Sequence, residues 1–264
     1  MKKKTLIKEI IISLIGLFLL FLLVSLLADK KTSDNKPKEL KEMKYTYESR
    51  IEKLNNFDTD GVKKYGWLQV QGTTIDLPII SNYYDITPEY NYGWLIPTSF
   101  AYDTRLILAG HNVLNVSATP MVNDSKLSDF EDLMAFSYYD FAKDNMYLIY
   151  TENDEDKVYV IYSIGFYDYG YEYDSEGLDK ENVEEYIKFV KKNSIYDYGI
   201  DVNKDDDIIT IKTCTRMFGA DEKQQFQIDA RLLRKDEKMF KYNVEKTKVY
   251  KELKLKDKYK NSFS

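Results

Sequence analysis

Cysteine and histidine are almost missing from this chain: its 264 residues hold one of each, Cys214 and His111. A single cysteine excludes an intrachain disulfide, so the fold must rest on its core rather than on covalent staples. One cysteine with one histidine cannot build a usual zinc site, and the eleven glycines form no phosphate-binding loop. No motif calls for a metal or a cofactor. Cationic excess is lacking too. Asp and Glu outnumber Lys and Arg by 44 to 38, a formal charge of -6, which argues against nucleic acid as a partner. No internal repeat is evident.

One long apolar run exists. Residues 10–28 carry no charge, are rich in leucine and isoleucine, and follow Lys2, Lys3 and Lys4. The length suits a membrane-spanning helix, and the basic flank favours a cytoplasmic N-terminus. Leu27-Ala28-Asp29 lacks a signal-peptidase pattern. The expectation is therefore an uncleaved anchor at 1–28 in the cell membrane, single-pass, a polar stalk at 29–44 containing Pro37, and an extracellular domain beyond it.

The remaining chain suffices for one domain with a sizeable core. A short helix runs through Tyr47, Ile51 and Leu54, which lie one helical turn apart. Residues 66–70 and 72–80 then read as two strands around a glycine turn, and 147–150 with 158–164 as a hairpin across an acidic turn. Two packing helices interrupt the β-rich stretch. One is 128–136, with Phe130, Leu133 and Met134 on one face, and the other is 179–190, with Val183, Tyr186, Ile187 and Val190. Asn203-Lys204-Asp205-Asp206-Asp207 lacks the Gly and distal Glu of an EF-hand and reads as a solvated turn. The 24 tyrosines are expected mostly on strands and the surface. After Leu233, Arg234 and ten lysines face five acids. This extension, 234–264, reads either as a solvated or frayed tail or as a surface drawn to an anionic envelope.

The two rare residues sit where apolar runs break. Residues 104–109 read as a buried strand ending at Gly110-His111-Asn112, and 207–213 lead straight into Cys214. Strand alternation puts Ile209, Ile211 and Thr213 on one face, and Thr210, Lys212 and Cys214 on the other, more polar one. Free cysteine is usually a buried packing residue, but one on a polar face at a strand end suits a nucleophile better. His111 is either its acid-base partner or a turn residue hydrogen-bonded to backbone. A thiol enzyme follows from the first reading: a thiolate attacks, and an imidazole supplies the proton that a leaving amine needs.

Taken in order, Gly66-Trp67-Leu68 with Gly72-Thr73-Thr74-Ile75, Gly110-His111-Asn112, and Thr210-Ile211-Lys212-Thr213-Cys214 resemble the sortases, cell-surface cysteine transpeptidases of Gram-positive bacteria. The last run is similar to the family's TLxTC signature, with isoleucine for leucine. A helix before the barrel and the one at 179–190, ahead of the cysteine strand, make class B the nearest likeness. The resemblance covers most of residues 45–233, the implied catalytic domain. It implies a mainly β fold, an eight-stranded β-barrel with N-terminal and inserted α-helices. It also implies that Cys214 attacks the carbonyl after the threonine of a C-terminal sorting motif on a secreted protein. An amine of a peptidoglycan precursor or cross-bridge would then release the thioacyl intermediate as a new amide, with His111 as acid-base partner. No cofactor is implied. The family's arginine on the strand after the cysteine is expected where this chain has Gln225, whose amide can donate to an oxyanion only without charge. Arg216 and Arg231 are the candidate substitutes. Two rival readings are a sortase fold that binds sorting peptides without turnover, and a hydrolytic cysteine peptidase in which water resolves the thioester.

Overall fold

The computed structural model describes residues 40–58, 63–81, 93–95, 105–112, 130–174, 178, 181–215, 217–218 and 224–254. The chain divides into two compact units, Met1–Leu40 and Lys41–Ser264. In chain order the second holds β1 (Lys41–Glu42), α1 (Ile51–Asn56), β2 (Lys64–Val70), β3 (Asp76–Ile80), β4 (Gly93–Leu95), β5 (Arg105–Gly110), a 3-10 helix (Glu131–Ser137) and α2 (Tyr139–Ala142). It continues with β6 (Tyr147–Glu152), β7 (Glu155–Asp168), α3 (Val183–Asn193), β8 (Tyr196–Asp197), β9 (Ile208–Thr215), β10 (Gln224–Leu232), β11 (Phe240–Lys241), β12 (Glu245–Lys246) and α4 (Lys248–Glu252).

Eight strands close into a barrel in the order β10-β7-β6-β2-β3-β4-β5-β9. Closure leaves no unpaired edge among them, which removes a template for aggregation. The turns follow local chemistry. Asn153 and Asp154 both take positive φ, 47° and 61°, as a two-residue hairpin turn of primed type demands, and Asn and Asp tolerate that region best after glycine. They join β6 to β7. The expected fold class is the observed one, a mainly β barrel with few helices.

Alternation along β9 and β10 separates two environments. Ile209, Ile211 and Thr213 lie opposite Ala230, Ile228 and Phe226, and all six are at most 3% exposed. The other face carries Thr210 and Lys212 opposite Asp229 and Gln227. These four are also buried, because α3 and the segment before it cover them. The α3 stripe of Val183, Tyr186, Ile187 and Val190 is buried as its spacing predicts. The segment expected as a helix over 128–136 is instead a 3-10 helix, all seven of whose residues are buried. With no exposed face, packing overrides amphipathic α-helical spacing; Asp132 points inward to accept the Thr74 amide at 2.7 Å.

Arg50, just before α1, grips Asp76 of β3 through Nε at 2.8 Å and Nη2 at 2.6 Å. Lys64 Nζ caps the C-terminal carbonyls of α1, donating to Leu54 O at 2.8 Å and Phe57 O at 2.7 Å, where the helix end favours a cation. The chain after Leu233 is stitched to the domain as far as it is described. β11 pairs with β1, and β12 with β8. Tyr147 Oη bonds both the carbonyl and the amide of Phe240, each at 2.7 Å, and Val244 and Tyr250 are buried. Tyrosine also serves the core: Tyr147, Tyr150, Tyr186, Tyr196 and Tyr198 are all fully buried, three of them on strands. In the acidic turn, both carboxylate oxygens of Asp206 are taken by Arg234, at 2.7 and 2.8 Å.

The expected single-pass localisation in the cell membrane is overturned. Among the described residues no helix is long and apolar enough to cross a membrane. The longest, α3, has 11 residues and spans about 16 Å against the ~30 Å of a bilayer's hydrocarbon core. The apolar run at 10–28 lies outside the described residues.

Candidate active site

β5 and β9 run side by side and parallel, with Ala109 level with Lys212 and Gly110 level with Thr213. The next residue on each strand path is His111 on one side and Cys214 on the other, so the parallel register brings the chain's single histidine alongside its single cysteine. Neighbouring strands lie only about 4.8 Å apart. Two side-chain bonds lock this level of the barrel. Thr213 Oγ1 donates to Gly110 O at 2.7 Å, and Asn112 Nδ2 donates to Cys214 O at 2.9 Å. The backbone of Phe130 donates to His111 O at 3.0 Å. Gly110 is required here, since a Cβ at that position would meet the Phe130 ring at 2.3 Å.

Cys214 is exposed, whereas its neighbours Thr213 and Thr215 are buried at 3% and 2%. Its cross-strand partner on β10 is Gln225, and paired residues project to the same face. Gln225 is buried, and its Nε2 donates to Asp174 Oδ1 at 2.5 Å. Lys212, two residues before Cys214 on the same face, donates to that same oxygen and to the Asp174 backbone carbonyl, both at 2.6 Å. Oδ2 accepts from the Gly170 amide at 2.8 Å. Burial would raise the Asp174 pKa, but the Lys212 and Gln225 hydrogen bonds outweigh it and hold the carboxyl below its ordinary value. Burial pulls the Lys212 ammonium below its ordinary value in spite of Asp174.

Below this lies a second polar layer. Asp229 accepts from Thr210 Oγ1 at 2.7 Å, from the Tyr186 hydroxyl, and from Gln227 Nε2 at 3.0 and 3.1 Å. Arg105 lies 4.1 Å over the Tyr186 ring, donates to Thr210 Oγ1 at 2.9 Å, and donates to Tyr173 O at 2.7 Å. Tyr171 Oη reaches Gln227 Oε1 at 2.8 Å. The chain from 169 to 174 is thus fastened over the outer face of β9 and β10 by polar side chains.

The structure brings together three of the five residues expected from sequence: Cys214, His111 and Gln225. Arg231 is elsewhere. It pairs with Ile208 at the far end of β9, six residues and about 20 Å from Cys214. Its guanidinium forks onto Glu237 with two bonds of 2.7 Å, and Nε donates to Asp201 O at 2.8 Å. It therefore does not take part in this site. Arg216 lies outside the described residues. Sequence reasoning missed Asp174 and Lys212. Lys212 was legible as the residue sharing the face of Cys214; nothing marked Asp174, forty residues earlier, as the one that meets it.

No family model matches the chain, and no curated protein matches it. Solved structures do. Sortase B of Clostridium perfringens is 19% identical with a TM-score of 0.54, covering 70% of this chain and 98% of that one. Sortase B from Listeria monocytogenes is 23% identical at 0.51, covering 69% and 98%. A Staphylococcus aureus sortase B-substrate complex is 14% identical at 0.52, covering 70% and 84%. The fold is that of the class B sortases.

Proposed function

We propose that this chain is a sortase-type cysteine transpeptidase. The observation that supports it best is the β5–β9 register, whose last pair, Gly110 and Thr213, is followed directly by His111 on one strand path and the exposed Cys214 on the other. In this reading the Cys214 sulfur attacks the carbonyl carbon after the threonine of a C-terminal sorting motif. The scissile C–N bond breaks, and the thiol proton passes by way of His111 to the leaving amine. The thioacyl-enzyme is then attacked by an acceptor amine of a peptidoglycan precursor or cross-bridge. The C–S bond breaks, the amine's proton returns to the sulfur through His111, and a new amide leaves. Both steps need a sulfur that a peptide can reach, and Cys214 is the exposed member of an otherwise buried strand end. The Staphylococcus aureus sortase B was solved as a substrate complex, which supports substrate binding on this fold.

The test is product analysis on sorting-motif peptides with and without an added amine such as triglycine. Transpeptidation is expected to give the amine-ligated peptide. Cleavage to a free acid at the same rate whether or not amine is present would replace this reading with that of a hydrolytic peptidase. Binding without any cleavage would replace it with that of a peptide-binding protein.

A further inference from the structure

A buried ion pair next to an exposed thiol calls for an explanation, because replacing such a pair by apolar residues is often neutral for stability or better. Lys212 is 8% exposed, on the same face of β9 as Cys214. Lysine has three N–H donors, and the Asp174 carbonyl and Oδ1 take two. The Asp174 carboxylate accepts from Lys212, Gln225 and Gly170, of which Lys212 alone is charged. The ammonium belongs to the residue that precedes Cys214 on this face of β9, two positions away.

We propose that Lys212, braced by Asp174, is a positioning residue that favours the anionic sulfur of Cys214 and the oxyanion formed beside it. This deepens the transpeptidase reading and rests on it. A thiolate is favoured by a nearby cation, and a developing oxyanion by a fixed positive group in a site shielded from water. The other groups that face this cluster come from each element packed on it: His111 after β5, Arg105 at the start of β5, Asp174 with Tyr171 and Tyr173 from the chain after β7, Tyr186 of α3 and Asp229 of β10. Arg105 and Asp229 are engaged with Thr210 one layer down, which leaves Lys212 as the cation nearest in register to Cys214 among the described strand residues.

The test is the pH dependence of Cys214 alkylation by iodoacetamide, in the full chain and with no peptide present. Lys212→Met removes the cation at similar volume. It is expected to move the rise in alkylation to higher pH by about half a unit or more, the sign a lost neighbouring opposite charge gives, and Lys212→Arg restores most of it. Asp174→Asn keeps the shape but removes the counter-charge, and moves the rise to lower pH. Opposite signs are the signature, since a merely structural role would shift both variants the same way or neither. An unmoved profile in Lys212→Met, or shifts of one sign in both, overturns the proposal. If Lys212→Met does not fold, the downward shift of Asp174→Asn alone decides it. The assay needs no turnover, so a wild-type chain that never forms a thioester sinks the transpeptidase reading and leaves this measurement standing.

Discussion

The two ends of the β9–β10 ribbon use charge in opposite ways. At the far end the side chains of Arg231 and Arg234 each make four hydrogen bonds: Arg231 to Glu237, Asp201 and Leu232, and Arg234 to Asp206 and Asp201. Glu237 and Asp206 each meet a planar guanidinium fork, and no nucleophile is among the residues of that cluster. At the near end a single ammonium shares one carboxylate with an amide, and the next residue on that face is an exposed thiol. Bidentate pairing fixes geometry and consumes donors. A lysine held by one shared carboxylate and a backbone carbonyl keeps its charge without a guanidinium's fixed fork. The same ribbon therefore ends in a structural clamp at one side and a reactive face at the other.

The comparison is broken most sharply at the near end. His111→Ala is expected to lower kcat for peptide cleavage on the order of a hundredfold to ten-thousandfold, the range of general acid-base help, because the chain has no second histidine to take over. A loss under about tenfold would make His111 a structural residue of the turn after β5. At the far end Arg231→Met should act on stability instead. It strands Glu237 without its fork and is expected to cost about 3 kcal/mol in chemical denaturation, with kcat per folded molecule unchanged. A drop in kcat with stability intact would return Arg231 to the site.

A smaller effect separates the layers by pH. Asp174, Asp206 and Glu237 are buried in part, which would raise them, but hydrogen bonds from Lys212, Arg234 and Arg231 respectively outweigh burial and hold each below its ordinary value. Their stabilisation is in place above about pH 4 and is lost as pH falls through the folded values. Asp229 runs the other way. Burial raises it despite Arg105 and its hydroxyl and amide donors, so rising pH costs stability from its unfolded value, about 4, up to its folded value. Melting temperature followed from about pH 3 to pH 8 should fall steeply on the acid side. Asp229→Asn should remove the decline on the other side. An identical slope above about pH 4 in wild type and Asp229→Asn would show that Asp229 carries no such linkage.

The features that were legible in sequence are those set by local pattern. Alternation in 207–213 assigned Cys214 and Lys212 to one face, and helical spacing identified the buried stripe of α3. The β6–β7 turn was announced by its acidic residues. What was not legible depends on partners far apart in the chain. Asp174 meets residues 38 and 51 positions later, and no spacing rule reaches that far. Arg231 reads from sequence like any strand arginine, and only the register with Ile208 shows that it lies at the opposite end of β9 from the thiol. The 3-10 helix at 131–137 reads from sequence as an amphipathic helix, since nothing local shows that Asp132 turns inward to accept the amide of Thr74, 58 residues earlier.

The most direct measurement is intact-mass analysis of the chain quenched during reaction with a sorting-motif peptide, followed by peptide mapping. The expected result is an adduct equal to the acyl fragment, located on Cys214, discharged by added amine and absent in Cys214→Ala, which loses one sulfur and nothing else from the strand. Peptide cleavage that persists in Cys214→Ala, or an adduct mapped to any other residue, would contradict the thiol mechanism.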